Sequence, residues 1–263
     1  MATRRIEFEV TVNERKNGTA SGRLQQAMMV AAALGLAGCG SDAPAPLPAH
    51  SSAATGPSEA ARPPAGPERL ILAFGDSLYA GYNLKPRESY PAQLEQALRQ
   101  RGINAKVVNA GVSGDTTAAG RQRLAFALDN LPRSPDLALV GLGGNDMLRG
   151  LPPAQARANL EAIVGELRGR GIPVVLTGMI AAPNLGQDYA RDFNRIYPDL
   201  AARHDAALVP FFLQAVIGRP RLMQPDHVHP TAAGVAAIVE ATVDQVAKAL
   251  PPAVSRPGSP SPR

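Results

Sequence analysis

Between Glu68 and Leu250 short apolar runs alternate with longer amphipathic stretches, and this alternation leaves few architectures open. The runs Leu70–Phe74, Lys106–Ala110, Leu137–Leu142, Val174–Thr177 and Ala207–Pro210 are apolar at successive positions, as strands covered on both faces are. The stretches Tyr90–Arg101, Ala118–Asn130, Pro153–Arg170, Tyr189–Arg203 and Thr231–Leu250 carry apolar residues at helical spacing. In the last of them Val235, Ile238, Val239, Thr242, Val243 and Val246 fall on one face. Parallel strands need a crossover between them, and each amphipathic stretch supplies one. The pattern predicts an α/β chain with a doubly wound parallel sheet of five strands, whose chemistry lies beyond the carboxyl ends of the strands.

The remaining residues belong to the ends. Gly and Pro number 25 each without a three-residue period, which excludes a collagen-like fibre. From Gly40 to Pro67, 22 of 28 residues are Pro, Ala, Ser or Gly, a composition that builds no packed core and predicts a tether over 40–67. The stretch 251–263 has the same character and is expected to be a disordered tail. Ahead of the tether, the twelve uncharged residues Ala27–Gly38 have the length of a signal-peptide core and fall well short of a bilayer span. Basic residues precede this run, and it ends in Leu36-Ala37-Gly38-Cys39, which resembles a bacterial lipoprotein signal. Residues 1–39 are therefore expected to be an address. Cys39 would be the lipidated first residue of a mature protein on the periplasmic side of a bacterial envelope, with a soluble periplasmic protein as the alternative. The other reading of Cys39 is a buried thiol in an ordinary apolar helix.

Charge narrows the partners. The chain carries +5, but residues 68–250 hold 19 basic against 17 acidic groups, a difference of only +2, so a nucleic-acid partner is not expected. The absence of Trp and the 4% aromatic content leave few platforms for stacking bases. One Cys allows no intramolecular disulfide and no zinc site with two thiolates.

Four loops just past predicted strands hold the residues with chemistry. Gly75-Asp76-Ser77-Leu78 puts a Ser where a strand turns into a helix, the position in which hydrolases expose a nucleophile, although Tyr79 stands where G-x-S-x-G has its last Gly. Asn109–Thr116 contains glycines able to present backbone N–H groups, and Gly143-Gly144-Asn145-Asp146 carries an amide that donates two hydrogen bonds. Asp226-His227-Val228-His229 sets a carboxylate three residues before an imidazole it can orient. Each piece has a plainer reading as a helix cap, a turn or loop hydrogen bonding, the last applying to Asp76, Asp115 and Asp146 as well. Asp226, His227 and His229 could also be read as metal ligands, yet four His and no spare Cys leave such a site short of donors. His50 falls in the tether, and His204 is expected at the surface near a helix end.

Together these blocks, Gly75-Asp76-Ser77-Leu78, Gly114 in Ser-Gly-Asp-Thr, Asn145 in Gly-Gly-Asn-Asp and Asp226-x-x-His229, resemble in order those of the SGNH or GDSL hydrolase family. The strings GDSLYAGY, VNAGVSGDT, LGGNDMLRG and LVPFFL are similar to its branch of arylesterases, acyl-CoA thioesterases and lysophospholipases. The resemblance implies a three-layer α/β/α domain over 68–250, with a five-stranded parallel sheet in flavodoxin-like order. It implies Ser77 as nucleophile, His229 as base, Asp226 as its orienter, and an oxyanion hole from the Ser77 and Gly114 N–H groups and the Asn145 side chain. Ester and thioester hydrolysis without metal or organic cofactor, by a monomer acting on small acyl substrates, is the expectation. An O-acetyl esterase of envelope polysaccharide is the alternative, and a non-catalytic lipid-binding lipoprotein on a relic fold a third reading. Apolar Met147, Leu148 and Leu151, together with Pro183 in the loop Ile180–Leu185, are the candidate acyl contacts; ordinary packing is their other reading.

Overall fold

The computed structural model describes residues 64–252. The expected leader over 1–39 with Cys39, nearly all of the tether and nearly all of the tail lie outside them.

Five strands form one sheet: β1 (Arg69–Gly75), β2 (Ala105–Gly111), β3 (Leu137–Gly141), β4 (Val174–Thr177) and β5 (Ala207–Val209). All neighbours are parallel and the order is β2-β1-β3-β4-β5. That is the flavodoxin-like winding, and each strand begins within one residue of its predicted start. β1 is an interior strand, and Leu70–Phe74 are buried to the last side chain, each worth roughly 1.5–3 kcal/mol when taken out of water if it is as large as Leu, Ile or Phe. β2 is an edge strand and leaves Lys106 and Asn109 exposed.

Eight helices run between and after the strands among the described residues: α1 (Ser77–Ala80), α2 (Tyr90–Gln100), α3 (Thr117–Asp129), α4 (Gly144–Leu148), α5 (Pro153–Gly169), α6 (Gln187–Asn194), α7 (Ile196–His204) and α8 (Ala232–Ala249). α2 packs on α8, while α3 packs on α5 and α5 on α7, so helices cover both faces of the sheet in three layers. Thr116 and Thr231 cap α3 and α8 by accepting from the N–H groups of Ala119 and Gly234.

The structure corrects one predicted helix. Tyr189–Arg203 is not continuous: α6 ends at Asn194 and α7 starts at Ile196. Pro198 is the cause. In an unbroken helix its ring would collide with the carbonyl of Asn194, four residues earlier, and it has no N–H to donate there. The break releases the Asn194 side chain, whose Oδ1 accepts from Ala181 N at 2.8 Å and ties down the loop after β4. α4 is the second difference, because Gly143-Gly144-Asn145-Asp146 opens a short helix rather than remaining a loop. Gly143 sits at φ 111°, and a Cβ there would strike the Tyr197 hydroxyl, so this turn into α4 requires glycine.

The strand order reverses at β1 and β3, and the crevice beyond their carboxyl ends is where a doubly wound sheet binds ligands. The ends of these two strands carry Ser77 and Asn145.

Candidate active site

Ser77 is the first residue of α1, directly after β1 and Asp76. The turn is tight because residue 75 has no side chain: a Cβ there would sit 2.6 Å from the Tyr79 ring and 2.9 Å from the Gly141 carbonyl. Tyr79 thereby explains the departure from G-x-S-x-G. Its ring lies across the strand ends, fully buried, with its hydroxyl 3.0 Å from Thr177 Oγ1, and it forms the floor beneath the serine turn.

His229 comes from the segment before α8. Gln224 N donates to the His229 carbonyl at 2.7 Å, Thr231 N donates to Leu222 O at 2.9 Å, and Met223 bridges Pro230, so the segment closes on itself like a small hairpin. At its tip Asp226 Oδ1 accepts from the N–H groups of Val228 (2.9 Å) and His229 (3.0 Å). Its Oδ2 lies 2.7 Å from His229 Nδ1, and His229 Nε2 lies 2.8 Å from Ser77 Oγ. Partial burial pushes the Asp226 carboxyl up, but the hydrogen bonds from His229 and Val228 outweigh it and hold the group at about 2. Asp226 is thus a carboxylate at any pH where the imidazole is neutral, which fixes Nδ1 as the protonated nitrogen and leaves Nε2 to receive a proton. Both ring nitrogens are engaged, so this imidazole is not disposed as a metal ligand. His227 stands beside it at φ 58°, its ring on the cavity wall.

Three donors border the same cavity. The N–H groups of Ser77 and Gly114 donate to no protein acceptor among the described residues. Asn145 Nδ2 donates to the Asp115 carbonyl at 2.9 Å, which uses one of its two amide hydrogens. Two arginines hold the loop carrying Gly114. Arg149 donates to the Gly114 carbonyl at 2.9 Å. Arg123 donates to the Gly75 carbonyl at 2.9 Å, pairs with Asp115 and lies 4.1 Å above the Phe74 ring. Of the three carboxylates assigned to loop hydrogen bonding, Asp76 caps Leu78 N and Asp146 accepts from Thr117 N and Oγ1, but Asp115 takes an arginine. An oxyanion on a carbonyl attacked by Ser77 would meet preorganised dipoles, and losing one typically costs about 10²–10³ in turnover. Asn145→Ala is accordingly expected to lower kcat by about that factor with the fold intact; steady-state kinetics with circular dichroism checks it, and normal turnover in a folded variant contradicts the role.

Asp76 has a second property. Burial, with smaller contributions from the Asp115 and Asp146 charges, raises its carboxyl from the usual range to about 7. The folded state therefore holds this proton more tightly than the unfolded chain does. The stability it contributes is complete below about pH 4 and is lost as pH rises through about 7, by as much as about 4 kcal/mol. Asp76→Asn keeps an oxygen for Leu78 N and has no such proton to lose. Urea midpoints between pH 4.5 and 8 should fall more steeply for the wild type than for this variant, and parallel curves would contradict the assignment.

The cavity is about 610 Å³ and mostly apolar. Met147, Leu148 and Pro183 line it. Leu151 does not, which corrects its assignment as an acyl contact: its N–H closes the end of α4 on Asp146 O and its carbonyl accepts from the Tyr189 hydroxyl, so the chain has already turned away. Further apolar lining, missed in the sequence, comes from Met179, Phe211, Leu213, Ile217 and Met223. Met179, Phe211 and Leu213 come within four residues of the ends of β4 and β5, so extending the strand-end rule to those loops finds them; nothing in the pattern marks Ile217 or Met223. Tyr82 was missed as well, and its ring centroid lies 4.4 Å from that of His229. His204 is not a free surface residue: its side chain is mostly buried and Nε2 lies 2.6 Å from Glu161.

Known proteins resemble this chain over the same region. A family model described as GDSL-like lipase/acylhydrolase matches residues 73–237. An arylesterase of Vibrio mimicus is 39% identical over 180 residues, covering 68% of this chain and 89% of that protein. The thioesterase 1/protease 1/lysophospholipase L1 of Escherichia coli K12 is 38% identical over 160 residues, 61% of this chain and 74% of that one. The crystal structure of AlinE4, an SGNH-hydrolase family esterase, superposes with a TM-score of 0.61 at 64% identity, over 71% of this chain and 99% of its own.

Proposed function

We infer, from the premise that the chain belongs to the GDSL-like lipase/acylhydrolase family, that Ser77, His229 and Asp226 carry its chemistry and that its acyl groups are medium or long. The protein is a serine hydrolase acting on esters. The observation that carries the assignment of residues is the unbroken line Ser77 Oγ, His229 Nε2, His229 Nδ1, Asp226 Oδ2, with spacings of 2.8 and 2.7 Å at its two hydrogen bonds.

The steps follow from that line. His229 Nε2 takes the Ser77 proton as Oγ bonds to the carbonyl carbon, and the carbonyl electron pair moves onto oxygen. The N–H groups of Ser77 and Gly114 and the Asn145 amide stabilise that oxyanion, while Asp226 stabilises the imidazolium. The oxyanion collapses, the bond to the alcohol or thiol breaks, and the leaving group takes the proton from Nε2. Water then attacks the acyl-Ser77 ester, giving its proton to the same nitrogen, and the acid leaves as Ser77 is restored.

The acyl preference rests on the cavity. Met147, Leu148, Met179, Pro183, Phe211 and Ile217 line a volume far larger than an acetyl group. Arylester, thioester and lysophospholipid hydrolysis, named for the relatives, are the reactions proposed for this chain. Nitrophenyl esters and acyl-CoA thioesters of two to sixteen carbons test this. The expected kcat/KM rises by about tenfold or more from acetyl to medium chains, since each buried CH₂ contributes up to about 0.8 kcal/mol; a maximum at acetyl would overturn the reading and point to an O-acetyl esterase.

A further inference from the structure

Six large apolar side chains are notably exposed among the described residues, and they are not scattered. Tyr82, Leu148, Ile180 and Ile217, between 42% and 58% exposed, all stand on the wall of the Ser77 cavity. Val112, 43% exposed, adjoins Ser113 of the same wall. Only Phe126 lies elsewhere, near the far end of α3, which runs back from the strand ends to the opposite edge of the sheet. Single exposed apolar residues are ordinary, but a ring of five around one opening marks an interaction surface.

Three basic residues adjoin these apolar positions in the sequence. Arg149 follows Leu148, and Arg219 and Arg221 lie between Ile217 and Met223. All three are exposed, and none is in an ion pair among the described residues, whereas most other arginines of the domain have a carboxylate partner. Of the carboxylates at the mouth, Asp115 is paired with Arg123, and Asp226 keeps a single negative charge beside the neutral His229, so the arginines outnumber it.

We propose that the rim formed by Tyr82, Val112, Leu148, Ile180 and Ile217, flanked by Arg149, Arg219 and Arg221, docks on the surface of an anionic phospholipid layer, with the mouth of the Ser77 cavity facing the lipid. The apolar ring enters the zone between headgroups and acyl chains, and the arginines meet the phosphates. The rim is continuous with the apolar cavity wall, so an acyl chain passes from the layer to Ser77 without crossing water. This proposal rests on reading the cavity as an acyl site, and its test is kept independent of hydrolysis.

The chain contains no Trp, so one introduced indole reports its own surroundings. The full chain bearing Ser77→Ala, to spare the lipid, is given Ile217→Trp, Leu148→Trp or, as the distant control, Phe126→Trp. Each is titrated with vesicles of phosphatidylcholine alone or mixed with phosphatidylglycerol. The two rim reporters should shift to the blue with the anionic vesicles and be quenched by brominated acyl chains, and Phe126→Trp should do neither. Adding Arg219→Glu and Arg221→Glu should raise the lipid needed for half the shift by about tenfold or more. The two rim positions guard against one variant failing to fold. No shift at either rim position, an equal shift at Phe126→Trp, or indifference to both lipid charge and charge reversal would overturn the proposal. An acetyl optimum on soluble esters would instead overturn the acyl reading, whatever the vesicles show.

Discussion

Ser77→Ala should reduce kcat on every ester substrate by about 10⁴–10⁶, while leaving the fold and substrate affinity nearly unchanged. The size follows from what the hydroxyl does. Ser77 Oγ lies 2.8 Å from His229 Nε2, and with Ser77 as the proposed nucleophile its removal leaves no atom to form the acyl-enzyme. The residual rate is that of water held in the cavity and polarised by His229 beside the same oxyanion donors. Structurally the change is small: Asp76, not Ser77, caps the first turn of α1, so alanine at the first helical position removes no cap. Far-UV circular dichroism and the urea midpoint should match the wild type. Residual turnover above about one per cent in a folded variant would mean that another nucleophile serves.

The second large effect is expected at Asp226. In Asp226→Asn the carbonyl oxygen can keep the bonds from Val228 N and His229 N, so the loop holds its shape. The amide NH₂ then faces His229 Nδ1, where the carboxylate oxygen lay at 2.7 Å. A donor at that place demands an acceptor from the ring. Nδ1 loses its hydrogen, Nε2 carries it, and the nitrogen facing Ser77 can no longer take a proton. A fall of about 10⁴ in kcat is expected, with KM little changed. Asp226→Ala imposes no wrong tautomer and should retain more activity than Asp226→Asn. Equal losses in the two variants would show that the carboxylate acts through charge alone rather than through the tautomer it selects.

The parts of this molecule that were legible in the sequence are those set by short-range pattern. Strands such as Leu70–Phe74 announce themselves because burial on both faces leaves no polar alternation, and the strand-end rule directs attention to Ser77 and Asn145. The pair Asp226 and His229 is readable because three residues separate them. What escaped depends on distant partners or on irregular backbone. Pro198 breaks a helix through Asn194, four positions away, a clash that the apolar periodicity hides. Leu151 has the composition of an acyl contact, but the turn after α4 carries it out of the cavity. Ile217 and Met223 reach the cavity wall from a segment without periodic structure, and Tyr82 meets His229 across 147 residues of chain. Arg123 of α3 joins Asp115, the Phe74 ring and the Gly75 carbonyl around the oxyanion loop, partners that the helical pattern does not mark. The neutral-range titration of Asp76 likewise comes from burial and neighbouring carboxylates, neither of which a local motif contains.

Hydrolysis through an acyl-enzyme requires a covalent bond to one atom, Ser77 Oγ, and active-site labelling tests this most directly. The full chain would be inactivated with an alkyl fluorophosphonate, digested, and the labelled peptide read by mass spectrometry, alongside His229→Ala. One adduct per chain is expected, on Ser77, appearing in step with the loss of esterase activity and slowed by orders of magnitude in His229→Ala. Full inactivation with the label on another residue, or undiminished hydrolysis by a chain fully labelled at Ser77, would contradict it.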